Sequence, residues 1–316
     1  MQDKKNSKNS SSIRIATRKS KLAMAQANLV GDLISPVKTE FIGLSTPGDK
    51  SLSKRLVEIG GKGVFVKTLE HALLSGKADC AVHSLKDMET QFASGTHIIS
   101  VLPREDPRDA ILGAKSLDEL PINAKIGTAS VRRKAQLLKY RPDLDIQLLR
   151  GNINRRIASL KNKEYDAIIL AVAGLKRLNI KISYNPIDID KMPPAASQGT
   201  IAIQIFRQHP NHDRLQEIFS RLHCHNTGQC VMAERSVLSY LDGSCRTPIS
   251  AYAHIDQSHK LHLQAHIYSP NGDKSYSSFA SDEPENAEKL GVKIAKDHLF
   301  KCGGTSFIAR EGIYFS

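Results

Sequence analysis

Cys245 stands in the run Asp242-Gly243-Ser244-Cys245-Arg246-Thr247-Pro248. A thiol in a Gly/Ser turn beside an arginine has the setting that lowers a cysteine pKa, which suits a nucleophile or a covalent attachment point. For a lone cysteine the alternative is an inert, half-buried thiol. A second candidate is His83-Ser84-Leu85-Lys86-Asp87, where an apolar segment runs straight into a Lys–Asp pair. A carboxylate beside cations in a cleft stays ionised and can stabilise a developing positive charge or shuttle a proton. In an open turn the same pair is a surface salt bridge. A third signal recurs along the chain: Arg18, Lys86, Arg132 with Arg133, and Arg150 with Arg155 and Arg156 each follow an apolar strand-like run. Guanidinium forks at such places, next to the free N–H groups of helix starts, bind carboxylates.

The elements that must position these groups are legible as periodicity. IRIAT (13–17) reads as a strand, 19–34 as a helix, 37–44 as a strand, 62–76 as a helix and ADCAVHS (78–84) as a buried strand. The loop LPREDPRD (102–109) marks a boundary, after which the pattern restarts. AKIGTA (124–129) is a strand, followed by a helix capped by Ser130. Then come a strand over 145–151, the helical run NINRRIASLK and the apolar strand 165–173. MPPAASQG (192–199) is a second crossing, and the strand TIAIQIF (200–206) is expected to return to the first sheet. This is the grammar of α/β lobes whose ligands bind at the carboxyl ends of strands. Two crossings between two lobes form a hinge. From about 224 the pattern becomes a helix (228–241), three strand-like segments and a helix (284–300), a small α+β domain.

Composition narrows the function classes. A formal net charge of +13 implies an anionic partner. The basic residues sit at strand ends and not along one helix face, and aromatics are only 5% of the chain, which argues against nucleic acid. Five scattered cysteines without a CxxC pair fit reduced thiols, and no apolar leader or membrane-length run is seen, so a cytoplasmic location is expected. His223-Cys224-His225 with Cys230 matches no common zinc spacing, and no metal is expected. Gly60-Gly61-Lys62-Gly63 lacks the full phosphate-loop pattern and reads as a loop entering a helix.

Taken together, IRIATRKSKLAMAQA, GGKGVFVKTLEHALLSGKADCAVHSLKD, REDPRDA, GTASVRRKAQL, LRGNINRR, YDAIILAVAGLKRL and LDGSCRTPISAYA resemble the porphobilinogen deaminase (hydroxymethylbilane synthase) family. The resemblance implies an α/β fold of two periplasmic-binding-protein-like lobes plus a small C-terminal α+β domain. The boundaries expected are a tail (1–12), lobe 1 (13–102 with 198–222), lobe 2 (103–197) and the C-terminal domain (223–316). It also implies head-to-tail condensation of porphobilinogen with loss of ammonia, on a dipyrromethane cofactor held by a thioether at Cys245. Asp87 falls on the family's catalytic carboxylate. The cofactor-binding positions implied are Ser84, Lys86, Thr128, Ser130, Arg132, Arg133, Arg150, Gly151 and Gln198. Those implied for substrate are Arg18, Ser20, Lys62, Arg156 and Arg177. The chain departs from the family pattern at Pro47, Glu58, Met88-Glu89 and Ala129, and two of these changes remove positive charge near the active loop. The competing reading is a two-lobe binding protein for a polycarboxylate, without catalysis. A monomer is expected.

Overall fold

The structure is a computed structural model that describes residues 12–46, 66–241 and 247–301. The expectations placed on the N-terminal tail, Pro47, Glu58, Lys62 and Cys245 therefore lie outside the described residues.

In chain order the first elements are β1 (Ile13–Arg18), α1 (Lys21–Leu33), β2 (Thr39–Leu44), α2 (Lys67–Leu74), β3 (Cys80–Ser84), a 3-10 turn (Leu85–Asp87) and β4 (Thr96–Val101). Next come β5 (Asp109–Leu112), β6 (Lys125–Thr128), α3 (Val131–Tyr140), β7 (Asp145–Leu148), α4 (Ile153–Lys161), β8 (Ala167–Ala171), α5 (Val172–Arg177) and β9 (Asn185–Pro186). The chain then returns through β10 (Ile201–Phe206) and α6 (His212–Ser220). It ends on α7 (His225–Tyr240), β11 (Ile249–Ile255), β12 (Leu261–Tyr268), β13 (Ser275–Asp282) and α8 (Ala287–Lys301).

Three sheets result. One has the order β2-β1-β3-β10-β4, the second β7-β6-β8-β5-β9, and the third β11-β12-β13. In the first, β1 and β3 are parallel, and β10 enters antiparallel beside β3. The second repeats this plan, with β6 and β8 parallel and β5 antiparallel beside β8. Ile13, Ile15, Val82, Ile201 and Ile203 pack against Val30 of α1 and Phe219 of α6. Ala16 and Ala81 turn to the other face, against Leu69 and Leu73 of α2. Both faces of the sheet are thus covered, which is why its strands read as unbroken apolar runs. In the third sheet only alternate residues, Leu261, Leu263, Ala265 and Ile267, reach the core under α7 and α8.

The strands β4 and β5 were not legible as elements. β5 is four residues, DAIL, directly after a charged proline-rich loop. The run read as a strand to 173 ends at Ala171, because Val172–Arg177 turns into α5.

The antiparallel strands place the hinge. Asp109, first in β5, pairs with Ala171, last in β8. Ile201, first in β10, pairs with Ser84, last in β3. Both crossings therefore enter their sheets at the carboxyl edge of the parallel strands, where ligands bind in such folds. They also touch each other, since Glu105 N donates to Gly199 O at 3.1 Å.

Candidate active site

A cavity of ≈ 630 Å³ opens between the lobes, bounded by the ends of β1, β3, β8 and the second crossing. That is the size range of small-molecule sites, ~300–1,000 Å³. Its wall carries eleven lysines and arginines and, among the described residues, one acid, Asp87. Charge of one sign in a cleft with low-dielectric walls attracts and concentrates anions.

In lobe 1, Ser20 caps α1 by accepting from Ala23 N at 3.3 Å. Ser84 donates to Gln26 Oε1 at 2.9 Å. The 3-10 turn then presents Lys86 and Asp87 to the cavity. Lys86 Nζ donates to Gln198 Oε1 at 3.0 Å. Burial, and next the nearby Arg133, push its pKa down to about 8. Asp87 keeps a partly exposed carboxylate, with Arg18 NH1 3.9 Å away. In lobe 2, Ser130 caps α3 by accepting from Arg133 N at 3.4 Å, and Thr128 Oγ1 accepts from Ser130 N at 3.2 Å. Thr128 thus shapes the turn and is not itself on the cavity wall. Gly151, at φ 106, turns the chain into α4, and its carbonyl accepts Arg156 Nε at 2.9 Å. Burial and the neighbouring charges of Arg133 and Arg150 bring the Arg156 pKa down to about 10. Arg177 NH2 donates to Gly199 O at 2.5 Å.

Arg132 and Arg133 differ from the picture of free forks. Arg132 NH2 and Arg133 NH2 each hold one oxygen of Asp109, at 2.8 and 2.7 Å. Arg132 NH1 also reaches Pro193 O and Gln136 Oε1. Two adjacent guanidiniums this deep need a counter-ion. The sequence, read locally, did not show that one lay 23 residues upstream. Arg133 Nε nevertheless remains buried without a partner.

The cavity thus gathers Arg18, Ser20, Ser84, Lys86, Asp87, Ser130, Arg132, Arg133, Arg150, Gly151, Arg156, Arg177 and Gln198. Two further residues were missed. Asp109 stands behind the wall. Arg235 of α7 lies on it, donating to the carbonyls of Met88 and Glu89 just after Asp87, with Phe92 under its guanidinium. The available signal for Arg235 was an adjacent Glu–Arg pair in a helix that carries no other Asp, Glu, Lys or Arg. The C-terminal domain adds Leu238, Thr247 and Ile249 to the wall.

A dipyrromethane carries acetate and propionate side chains, and the wall fits such a group. It offers an unpartnered buried Arg133 Nε, and a lysine and an arginine whose protons are held less tightly, first because they are buried and next because like charges crowd them. Carboxylates would answer both conditions. No group of three or more metal-ligating side chains occurs among the described residues. No helix among them is long and apolar enough to cross a membrane.

Among solved structures, the chain is similar to the periplasmic VFT2 domain of Bordetella pertussis BvgS. The identity is 16%, over 67% of this chain and 93% of that one, with a TM-score of 0.36. It is also similar to the second substrate-binding domain of Lactococcus lactis GlnP in open conformation, at 11% identity over 66% and 86%, with a TM-score of 0.38. Likeness at this level carries nothing about ligand or activity. The sequence families are specific. The family model for the porphobilinogen deaminase dipyromethane cofactor binding domain matches residues 13–214, and that for the porphobilinogen deaminase C-terminal domain matches 228–299. The two models describe successive parts of one enzyme and match in order without overlap, so the chain belongs to the porphobilinogen deaminase family.

Proposed function

We propose that the chain acts as a hydroxymethylbilane synthase whose primer hangs from Cys245 and whose cations grip the carboxylates of both primer and incoming porphobilinogen. The observation that carries this reading is a cation-lined cavity between two lobes with a single carboxylate, Asp87, in its described wall. Thr247, two residues beyond Cys245, is on that wall and so supports attachment at Cys245.

The dipyrromethane, when bound, supplies the nucleophilic pyrrole terminus on which the chain grows. Lys86, Arg132, Arg133 and Arg150 hold its carboxylates, with Ser84, Ser130 and Gln198 as neutral polar neighbours. Thr128 and Gly151 set the turns that aim them. Arg18, Ser20 and Arg156 bind the incoming substrate, with Arg177 and Lys62. The Asp87 carboxylate, with Arg18 NH1 3.9 Å away, stabilises the positive charge that develops on the substrate as ammonia departs. It then takes up the proton released at the pyrrole. A receptor would have no use for this carboxylate, which would repel its anionic ligand. We further propose that the enzyme works as a monomer in the cytoplasm.

Intact-mass measurement tests the assignment. Protein made in cells that produce porphobilinogen is expected to exceed its polypeptide mass by one dipyrromethane unit, and Cys245→Ser is expected to lack that increment. A bare parent chain, or a Cys245→Ser chain that still carries the increment, would overturn it.

A further inference from the structure

Behind the cavity wall lies a carboxylate that meets no solvent. Asp109 is 0% exposed and is absent from the cavity lining. Its Oδ1 accepts from Arg133 NH2 at 2.7 Å and from Gln198 Nε2 at 2.8 Å, and its Oδ2 accepts from Arg132 NH2 at 2.8 Å. The other face of the Gln198 amide accepts from Lys86 Nζ at 3.0 Å. One buried anion is thus wired to three cations of the wall, two directly and one through an amide.

The wiring crosses the hinge. Lys86 belongs to lobe 1, Gln198 to the second crossing, and Arg132 and Arg133 to lobe 2. The Gln198 amide is committed on both sides, since its nitrogen also donates to Pro107 O at 2.7 Å. Arg132 is held further by Pro193 O and Gln136, and Arg133 by Ile169 O at 3.0 Å. Each cation keeps one fixed direction, which is the condition for electrostatic preorganisation. Without the anion, two adjacent buried guanidiniums would repel each other and reorient.

We propose that Asp109 is a positioning residue, whose buried carboxylate fixes the aim of Arg132 and Arg133 and, through Gln198, of Lys86 beside the catalytic carboxylate. This rests on the reading of the cavity as the pyrrole-binding site. Asp109 touches neither primer nor substrate. It acts on the rate by holding the groups that do.

The test compares Asp109→Asn, Gln198→Met and the double variant, with rates expressed per holo-enzyme counted by intact mass. Asp109→Asn keeps the shape but puts an N–H against an arginine N–H. Positioning predicts that kcat falls tenfold or more while KM for porphobilinogen stays within about threefold, since the cavity keeps all its cations. A role in folding alone would lower the yield or the melting temperature and leave kcat per holo-enzyme unchanged. Because Gln198 relays the effect, the double variant is expected to be no slower than the slower single variant within threefold. Losses that multiply, or an unchanged kcat in Asp109→Asn, overturn the proposal. Should Asp109→Asn not fold, Gln198→Met decides, because it cuts the relay from Asp109 to Lys86, along with the bond to Pro107 O, and leaves both arginines on Asp109. The same split between kcat and KM supports the proposal, and unchanged kcat refutes it. Failure of the functional reading would show separately, as a parent chain with no primer.

Discussion

At Lys86 the chain draws a cation away from solvent beside two arginines, and its pKa falls to about 8. An unfolded lysine titrates near 10.5, so between the two values the unfolded chain binds more protons than the folded one. The sign follows: Lys86 costs stability below pH 8, and that cost is relieved as pH rises. In the primer-free Cys245→Ser background, the parent should gain about 1 kcal/mol relative to a Lys86→Met variant between pH 7 and pH 9. Urea denaturation at the two pH values measures this, and a difference that stays flat with pH would place the Lys86 charge in solvent. Asp87→Asn should retain the primer mass and lose turnover by a factor on the order of 100 or more. Near-normal turnover in that variant would remove Asp87 from its role.

Elements matter where the two crossings meet. Gly199 has φ 90, and a Cβ there would lie 2.2 Å from Glu105 O, the backbone of the other crossing. Its own carbonyl receives both Glu105 N and Arg177. Only glycine suits such a position. Gly199→Ala should destabilise by about 2 kcal/mol or more through strain and separation of the crossings, seen as a lower urea midpoint. An unchanged midpoint would mean that the crossings slide apart without cost. Of the two antiparallel strands, β10 is legible as TIAIQIF returning to the first sheet, whereas β5, four residues after a charged loop, is not. Together they bring Asp109 and Gln198 to the carboxyl edges of the two sheets, where the cations wait.

At the scale of the whole molecule, one buried glutamate ties all three parts together. Glu234 of α7 is 0% exposed and pairs with Arg104 of the first crossing at 2.7 and 3.0 Å. It also accepts from Ser197 N of the second crossing and Ala253 N of β11. One residue further on, Arg235 grips the backbone after Asp87, and seven residues beyond that α7 has already ended at the segment with Cys245. Glu234→Gln leaves the Arg104 charge buried without its partner. A loss of roughly 3–5 kcal/mol is expected, with the C-terminal domain and the lobes separating into distinct unfolding steps. A single transition at the parent's midpoint would contradict this.

The elements and the chemical class of the ligand were written locally. Apolar runs such as IRIAT and YDAIILAVA set the strands. Arg18, Lys86, Arg132 and Arg150 follow where those runs stop, because a buried strand must end before a charge. Charge pairing was not written locally. Arg132 and Arg133 read as two free cations, yet they share Asp109, 23 and 24 positions away. Gln198 reaches the same carboxylate across 89 residues. Which charges cancel and which stay available to a ligand depends on the register with which β5 and β10 insert beside β8 and β3. Only the folded sheets fix that register, because it follows from packing on both faces at once.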